Sequence, residues 1–455
     1  MTATEIALDL VSTIAVLTAT VMLARGFSKV AVWLLDSGPN RILASSSKAQ
    51  NDTNAGVHPE LASGFADPLV RPVQIAATLL LAWAAIVLGA IFLSLVGLLH
   101  PFTLLATMAI AGLSIQRFRP GFPRQRGPTE RMDLVLFGTV SLVLVQVIAF
   151  GLLILPIDWD TLAYQLPLVD HWVRSGDLAD TSTAFWYVPG NLELIGYYFS
   201  GAFSGDFWAQ FANVPVIAIL AAATLTLCYE LEINKPTARW VCFGAVVNPV
   251  VLRQVRTLEN DVAVGTLFIA ATLFRARAIR SGRLGELALC GISVGLLAGV
   301  KYYAIGYAVV VAVIVISVGM HKYGARYGSR ALLVFLLSFS AFTAFWYLRN
   351  FLISGTPIYP KGIALLGLSG PWDQLRPGFA KTCLALGMQQ TDIPLLALAW
   401  TACGGILLTL SLLGSLVLGN SPDCFLFCED TSRVQSPPAP RLIQHLMSCD
   451  RAANS

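Results

Sequence analysis

The sequence predicts an all-α protein: a polytopic transmembrane helix bundle of about eleven spans, with an outer-face loop that contains amphipathic surface helices. Composition is the first reason. Of 455 residues, 56% are hydrophobic and only 12% are charged, where soluble proteins carry about 25% charged residues. Mean hydropathy is +0.70. The second reason is segment length. Apolar runs of about 20 residues recur, each able to cross a ~30 Å hydrocarbon layer as a helix. The third is their pattern. Barrel strands alternate apolar and polar residues, and these runs do not.

The apolar segments lie at 5–24, 74–99, 101–116, 133–156, 207–229, 238–252, 260–274, 285–300, 302–319, 331–352 and 391–419. The third, sixth and seventh are short, and a short span tilts, thins the bilayer or re-enters it. The pair around Lys301 reads either as two spans or as one broken helix. The N-terminus lacks the basic region and cleavage site of a signal peptide, so the first segment reads as a retained anchor. Four cysteines, Cys228, Cys242, Cys290 and Cys403, fall inside apolar segments and read as small buried hydrophobes.

Lys and Arg set the orientation. The loops 117–131, 275–283 and 321–330 hold five, four and three Lys or Arg residues. With eleven spans all three fall on one face, which the positive-inside rule makes cytoplasmic. Two sizeable loops, 157–206 and 353–390, then face outward, and 36–72 is a cytoplasmic linker. The chain divides into N-terminal spans (1–132), a membrane core (133–419) and a disordered cytoplasmic tail (420–455). The net charge of +4 comes from short clusters between apolar segments and does not indicate nucleic acid.

The outer loop opens on Asp158-Trp159-Asp160-Thr161-Leu162-Ala163-Tyr164-Gln165-Leu166-Pro167. Leu162, Leu166, Val169 and Val173 recur at helical spacing, with Trp159, Tyr164, Trp172 and Trp186 as amphipathic aromatics. That pattern describes a helix on the membrane surface, kinked at Pro167. The turn Pro189-Gly190-Asn191 brings Glu193 back toward the bilayer. This one loop gathers Asp158, Asp160, Asp170, His171, Glu193 and Asp206 in a chain poor in charge. Two readings stand at this point: solvated flanking charges, or a catalytic centre where a lipid head group meets water.

The run from Asp158 through Tyr164, Gly176-Asp177 and Pro189–Glu193 resembles the first periplasmic loop of bacterial GT-C glycosyltransferases. These include the protein mannosyltransferase and aminoarabinose transferase relatives, which are lipid-carrier-dependent and family 39-like. The resemblance covers roughly 130–360. It implies a GT-C-like catalytic core, a multi-pass protein of the cytoplasmic membrane, and a polyprenyl-phosphate sugar donor. The acceptor would be an envelope glycan, a lipid or a protein. Asp160 matches the family's catalytic Asp and Tyr164 its Tyr four residues on. Thr161 stands where many relatives have Glu, and Gln165 where a subset has His. No cofactor is certain, and a divalent metal is left open.

The chemistry suits that location. A carboxylate can take the proton of an acceptor hydroxyl as the new bond forms. Asp160 is the expected base, with Asp158 or Glu193 as orienting partner or alternate. A phosphate leaving group needs cations. Arg253, Arg256, Lys301 and Arg349 fall on the same predicted face, and Arg256, Lys301 and Arg349 are the expected phosphate ligands. Asp261 pairs with Arg256 or helps to bind the acceptor. The segment Arg349-Asn350…Gly355-Thr356-Pro357-Ile358-Tyr359-Pro360 resembles the family's motif after a late span, which carries over Arg349 and Tyr359; Thr356 replaces its Asn. In the tail, Cys424, Cys428, His445 and Cys449 have spacings that zinc accepts, but no folded frame. The rival readings are a transporter, a lipid or polysaccharide flippase, and a glycan polymerase or ligase. A transporter would put ionisable residues near the bilayer midplane.

Overall fold

The computed structural model describes residues 3–36, 70–117, parts of 138–149, 158, 160–181, 184–200, 206–255, 257–359 and parts of 362–370. All lie within the compact unit Met1–Gln374. Segment 391–419, the tail and most of 133–156 therefore fall outside the described residues. The described residues are helical; one isolated bridge, Ile363 to Leu368, is their only β pairing.

In chain order the helices are α1 (Ala3–Asp36), α2 (Val70–Leu95), α3 (Pro101–Arg117), α4 (Leu166–Ser175), α5 (Glu193–Ser200), α6 (Val214–Glu230), α7 (Lys235–Val246), α8 (Pro249–Gln254), α9 (Asp261–Ser281), α10 (Leu284–Ala298), α11 (Ala304–Tyr323) and α12 (Ala325–Ser354). Six helical stretches are long and apolar enough to cross a membrane: Thr18–Leu35, Pro72–Leu95, Trp208–Glu230, Asp261–Ser281, Ala304–Tyr323 and Ala325–Ser354. Two shorter apolar helices, Pro101–Ile115 and Leu284–Ala298, accompany them. These eight stretches answer eight of the eleven expected segments. The sixth, 238–252, is divided: Asn248 caps α8 by accepting from Val250 N at 2.9 Å, and Pro249 starts the new helix because it has no N–H to continue the old one.

The bundle has two polar ends. At one, Arg277 of α9 bridges Glu230 at the end of α6 and Glu286 at the start of α10. Arg280 adds a contact to Glu230 at 3.2 Å, and Arg283 donates to the carbonyl of Leu35 in α1. Lys322 and Tyr323, at the end of α11, donate to the carbonyls of Ile279 and Arg280. They thereby cap the negative end of the α9 dipole. So α10 and α11 form an antiparallel hairpin, and Lys301 sits at its far turn rather than inside one broken helix. The basic stretch 275–283, expected as a loop, is largely the last turns of α9. Its charges are tolerated because Glu230 and Glu286 neutralise them.

The other polar end begins at Asp261, sixteen residues before Arg277. At 1.5 Å per residue this is about 24 Å, close to the thickness of a hydrocarbon layer.

The segment after α4 does not stay at the surface. Asn191 reaches the centre of the bundle and uses every polar group it has. Its N–H donates to Gly299 O at 2.8 Å. Its amide donates to Leu296 O at 3.3 Å and Phe342 O at 3.2 Å. It accepts from Trp346 Nε1 at 2.7 Å and, on its carbonyl, from Trp83 Nε1 at 2.9 Å. One residue thus joins α2, α10 and α12. A Cβ on residue 299 would lie 1.8 Å from the Asn191 amide, so only glycine fits there. Trp83 lies twelve residues below the end of α2 and Trp346 eight below the end of α12. Its α10 partners, Leu296 and Gly299, lie at the end of that helix just before Lys301, so Asn191 is buried near the end of the bundle that carries Lys301.

We expect Asn191→Leu to lower the thermal stability of detergent-purified protein far more than Asn234→Ala. Asn234 caps α7 at the surface through Thr237 N, a contact worth about 1 kcal/mol. Leucine at 191 strands the three buried partners of the side chain, Leu296 O, Phe342 O and Trp346 Nε1, at about 1–3 kcal/mol each. Equal shifts for the two variants would contradict the hub role.

Candidate functional site

The opening motif begins a helix with a single π turn, Thr161–Gln165, that runs directly into α4. The chain stays helical through Pro167, which has no N–H for an α-helical bond, and the irregular π turn lies directly before it. One face of the helix packs on the protein. Leu166, Leu168, Val169 and Trp172 are buried in the protein core, and Leu162 is exposed. The expected apolar stripe is thus offset by one or two residues. Gly176 ends the helix at φ 65°, and a Cβ there would stand 2.6 Å from the carbonyl of Leu99.

Asp160 stands at the start of the π turn. Tyr164, one turn on, donates its hydroxyl to Asp160 Oδ2 at 3.0 Å. The Tyr164 phenol is held well above its ordinary value, first by burial, then by the negative charges of Glu193, Asp160 and Asp261. A phenol that stays protonated is a fixed donor to Asp160.

Thr161 is fully buried, and its hydroxyl is a junction. It accepts from Leu258 N at 3.1 Å. Its single proton serves either Asp158 Oδ2 at 3.4 Å or Gln165 Oε1 at 3.3 Å. Thr161 N also donates to Asp158 Oδ2 at 3.3 Å. Thr161 thus fastens the opening run to the segment before α9. Asn213 holds the same segment by donating to Thr257 O at 2.8 Å and Glu259 O at 2.9 Å.

That segment brings in a residue that sequence reasoning left aside. Glu259 is pushed up to about 7 by burial, then by a hydrogen bond and charge from Asp158, against the pull of Arg253. Two carboxyls in hydrogen-bond contact share one proton. Its only sequence signal is an acid two residues before Asp261. Asp261 itself lies 3.6 Å from Lys301 Nζ and accepts weakly from Gln254 Nε2 at 3.4 Å. Asp261 is 61% exposed, so the pair contributes little stability, about 0–1 kcal/mol.

Glu193 begins α5 and is 2% exposed. Burial pushes its carboxyl up to about 7, opposed by a hydrogen bond from its own backbone and by the charge of Lys301. The structure thus brings Asp158, Asp160, Tyr164, Glu193, Asp261 and Lys301 together from four parts of the sequence.

Arg349 and Tyr359 belong to a different assembly. Arg349 is buried, and its guanidinium donates to Leu178 O and Trp186 O, each at 2.9 Å, and to Asn350 Oδ1. It also lies over the Trp346 ring at 4.9 Å. Asn350 donates to Tyr187 O at 2.8 Å, Tyr302 donates to the same carbonyl at 2.5 Å, and Tyr359 stacks on Tyr187 with ring centroids 3.9 Å apart. These residues clamp Leu178, Trp186 and Tyr187 onto the end of α12. The donors of Arg349 expected for phosphate are directed at backbone carbonyls. Arg256 lies outside the described residues.

Five carboxyl groups therefore stand near two described cations, Lys301 and Arg253. Such a set can accept protons from hydroxyl groups and offers a point charge to an anion. Among the described residues, no group of three His, Cys, Asp or Glu side chains is arranged to hold a metal ion. Comparison with known protein families, characterised proteins and solved structures finds no match for this chain.

The raised carboxyls fix the sign of a pH effect. A carboxyl at 4.5 in the unfolded chain and about 7 in the fold favours the folded state while protonated. Stability is full below the unfolded value, falls as pH rises toward 7, and stays low above it. Glu193→Gln removes that contribution. Its melting temperature in detergent should decline less between pH 4.5 and 8 than that of the parent. Parallel declines would show that Glu193 is not the group responsible.

Proposed function

We propose that this chain is an integral-membrane glycosyltransferase of the GT-C type. It transfers a sugar from a polyprenyl-phosphate donor to a glycan, lipid or protein acceptor at the outer face of a multi-pass membrane bundle. The observation that carries this reading is Asp160, held by the Tyr164 hydroxyl at 3.0 Å at one polar end of an apolar bundle. The resemblance of the 158–193 run to the GT-C loop supports it.

In this mechanism the acceptor hydroxyl attacks the anomeric carbon while its proton passes to the Asp160 carboxylate. The anomeric carbon–oxygen bond breaks, and its electron pair leaves with the lipid phosphate. One base and one stabilised phosphate suffice for a single inverting displacement. Tyr164 orients Asp160, so the lone pair free of that hydrogen bond faces the acceptor. Lys301 offers its charge to the departing phosphate and exchanges Asp261 for it, because their exposed 3.6 Å pair is easily given up. Arg349 and Tyr359 act at one remove, by fixing the loop. Asp158 and Glu259 accept hydroxyl hydrogen bonds from a sugar.

One observation favours a second reading, a proton-coupled transporter. Glu193 is a carboxyl enclosed by the bundle, pushed up to about 7 by burial, and acids enclosed in membrane bundles commonly serve proton relays.

Asp160→Asn in folded, purified protein distinguishes the two. With a polyprenyl-phosphate sugar and candidate acceptors, we expect transfer to fall about 10²–10⁴-fold while donor binding persists. Unchanged turnover would remove Asp160 from the chemistry. Absence of transfer by the parent protein, with proton uptake abolished in Glu193→Gln, would favour the transporter. Lys301→Ala should weaken donor binding and leave acceptor binding unchanged.

A further inference from the structure

One arginine at the basic end of the bundle is an exception in the stretch 275–283. Arg275, on α9 two residues before Arg277, is 6% exposed. Among the described residues its guanidinium makes no hydrogen bond and no ion pair. The titratable group that acts on it is the Cys290 thiol of α10. Its neighbours in sequence are all engaged. Arg277 meets Glu230 and Glu286, Arg280 meets Glu230, and Arg283 donates to Leu35 O. The two carboxylates at this end are therefore already in use.

The fold brackets Arg275 in an apolar seam between α9 and α11. Phe268, two turns before it on the same face of α9, packs on Tyr307 of α11 with ring centroids 5.2 Å apart. Ile279, one turn after it, gives its carbonyl to Lys322 and Tyr323 of α11. Between these two contacts, residues 308–320 of α11 carry no charge, and neither do residues 287–298 of α10 or 214–229 of α6. The seam is open along its length: Phe268, Tyr307, Ile314 and Val318 are all half-buried. Ile314 stands two turns below Tyr307, the level at which Arg275 stands below Phe268. An arginine does not shed its proton in a protein. A buried charge without a counter-charge is among the costliest arrangements a fold can hold, and an anion removes that cost.

We propose that Arg275 anchors an anion site at the α9–α11 seam, and that its anion is the phosphate of a membrane phospholipid. Two features select a lipid over a free anion. The first is depth. Helix α9 ends at Ser281, six residues on, so Arg275 lies about 9 Å inside the helix end. From there its long side chain reaches the level of the lipid phosphates. The second is the surroundings. A hydrated free phosphate gains nothing from Ile314 and Val318, whereas the acyl chain attached to a lipid phosphate lies against them. The planar guanidinium offers two parallel N–H groups to two phosphate oxygens, and basic pockets between membrane helices recognise anionic head groups in this way. The site is at the opposite end of α9 from Asp261 and is independent of the proposed sugar transfer.

Thermal unfolding of the full chain, purified in a nonionic detergent with gluconate in place of chloride, tests the site. Dioleoyl phosphatidylglycerol should raise the melting temperature of the parent by several degrees. Dioleoylglycerol, with the same chains and no phosphate, should not. The rise should vanish in Arg275→Gln and persist in Arg326→Gln, which removes an exposed arginine of α12. No rise in the parent, or an equal rise in Arg275→Gln, would overturn the proposal. An equal rise with inorganic phosphate alone would overturn the lipid assignment in favour of a free anion. A second comparison needs no added ligand. Before any lipid or phosphate is added, Arg275→Met should melt no lower than the parent, because an apolar side chain replaces an uncompensated charge. If Arg275→Met melts well below the parent there, or fails to fold, the guanidinium is satisfied without an anion and the proposal falls.

Discussion

The fold depends on one side chain that reaches where a loop is expected to stay out. Asn191 brings five hydrogen bonds to the centre of an apolar bundle, and its partners belong to α2, α10 and α12. In a low-dielectric interior each bond is strong and each unmade one is costly. The arrangement is therefore close to all-or-none. If Asn191 withdraws, two tryptophan N–H groups and several helix carbonyls lose their partners together. This fixes the position of Glu193, two residues on, more firmly than any contact at the site itself.

Around that centre the two ends of the bundle use charge differently. At the basic end, acids and bases are matched: Glu230 and Glu286 share Arg277, and Arg280 closes the set. Arg283 and Lys322 add hydrogen bonds to helix carbonyls there, so this end is a fixed brace. At the other end acids outnumber bases and partners are shared: Asp158 with Glu259, Asp261 with Lys301. A mismatched, half-open set holds carboxyls near neutrality and leaves acceptors free for a ligand. Such perturbed groups gather at functional sites.

Rigidity between the two is supplied by residues that look like site residues. Arg349 has the charge to bind phosphate, yet its hydrogen-bond donors serve the carbonyls of Leu178 and Trp186. Thr161 carries no charge, and its hydroxyl pins the run that holds Asp160 to Leu258. Both hold the frame in which Asp160 and Tyr164 are presented.

The sequence alone determined the all-helical character and most of the segments, because length and apolarity are local properties and the membrane-spanning helix is their direct expression. It placed Asp160 and Tyr164 four residues apart, while the hydrogen bond between them is a finding of the structure. It did not determine that Asn191 is a hub or that Glu193 is deeply buried, because their partners lie about 100 to 150 residues away in α2, α10 and α12. Nor could it separate Lys301 from Arg349. Both are cations near helix ends, and only packing shows that one meets Asp261 while the other is enclosed by carbonyls. Local patterns specify elements; the use to which a polar side chain is put is decided by whatever the fold brings against it.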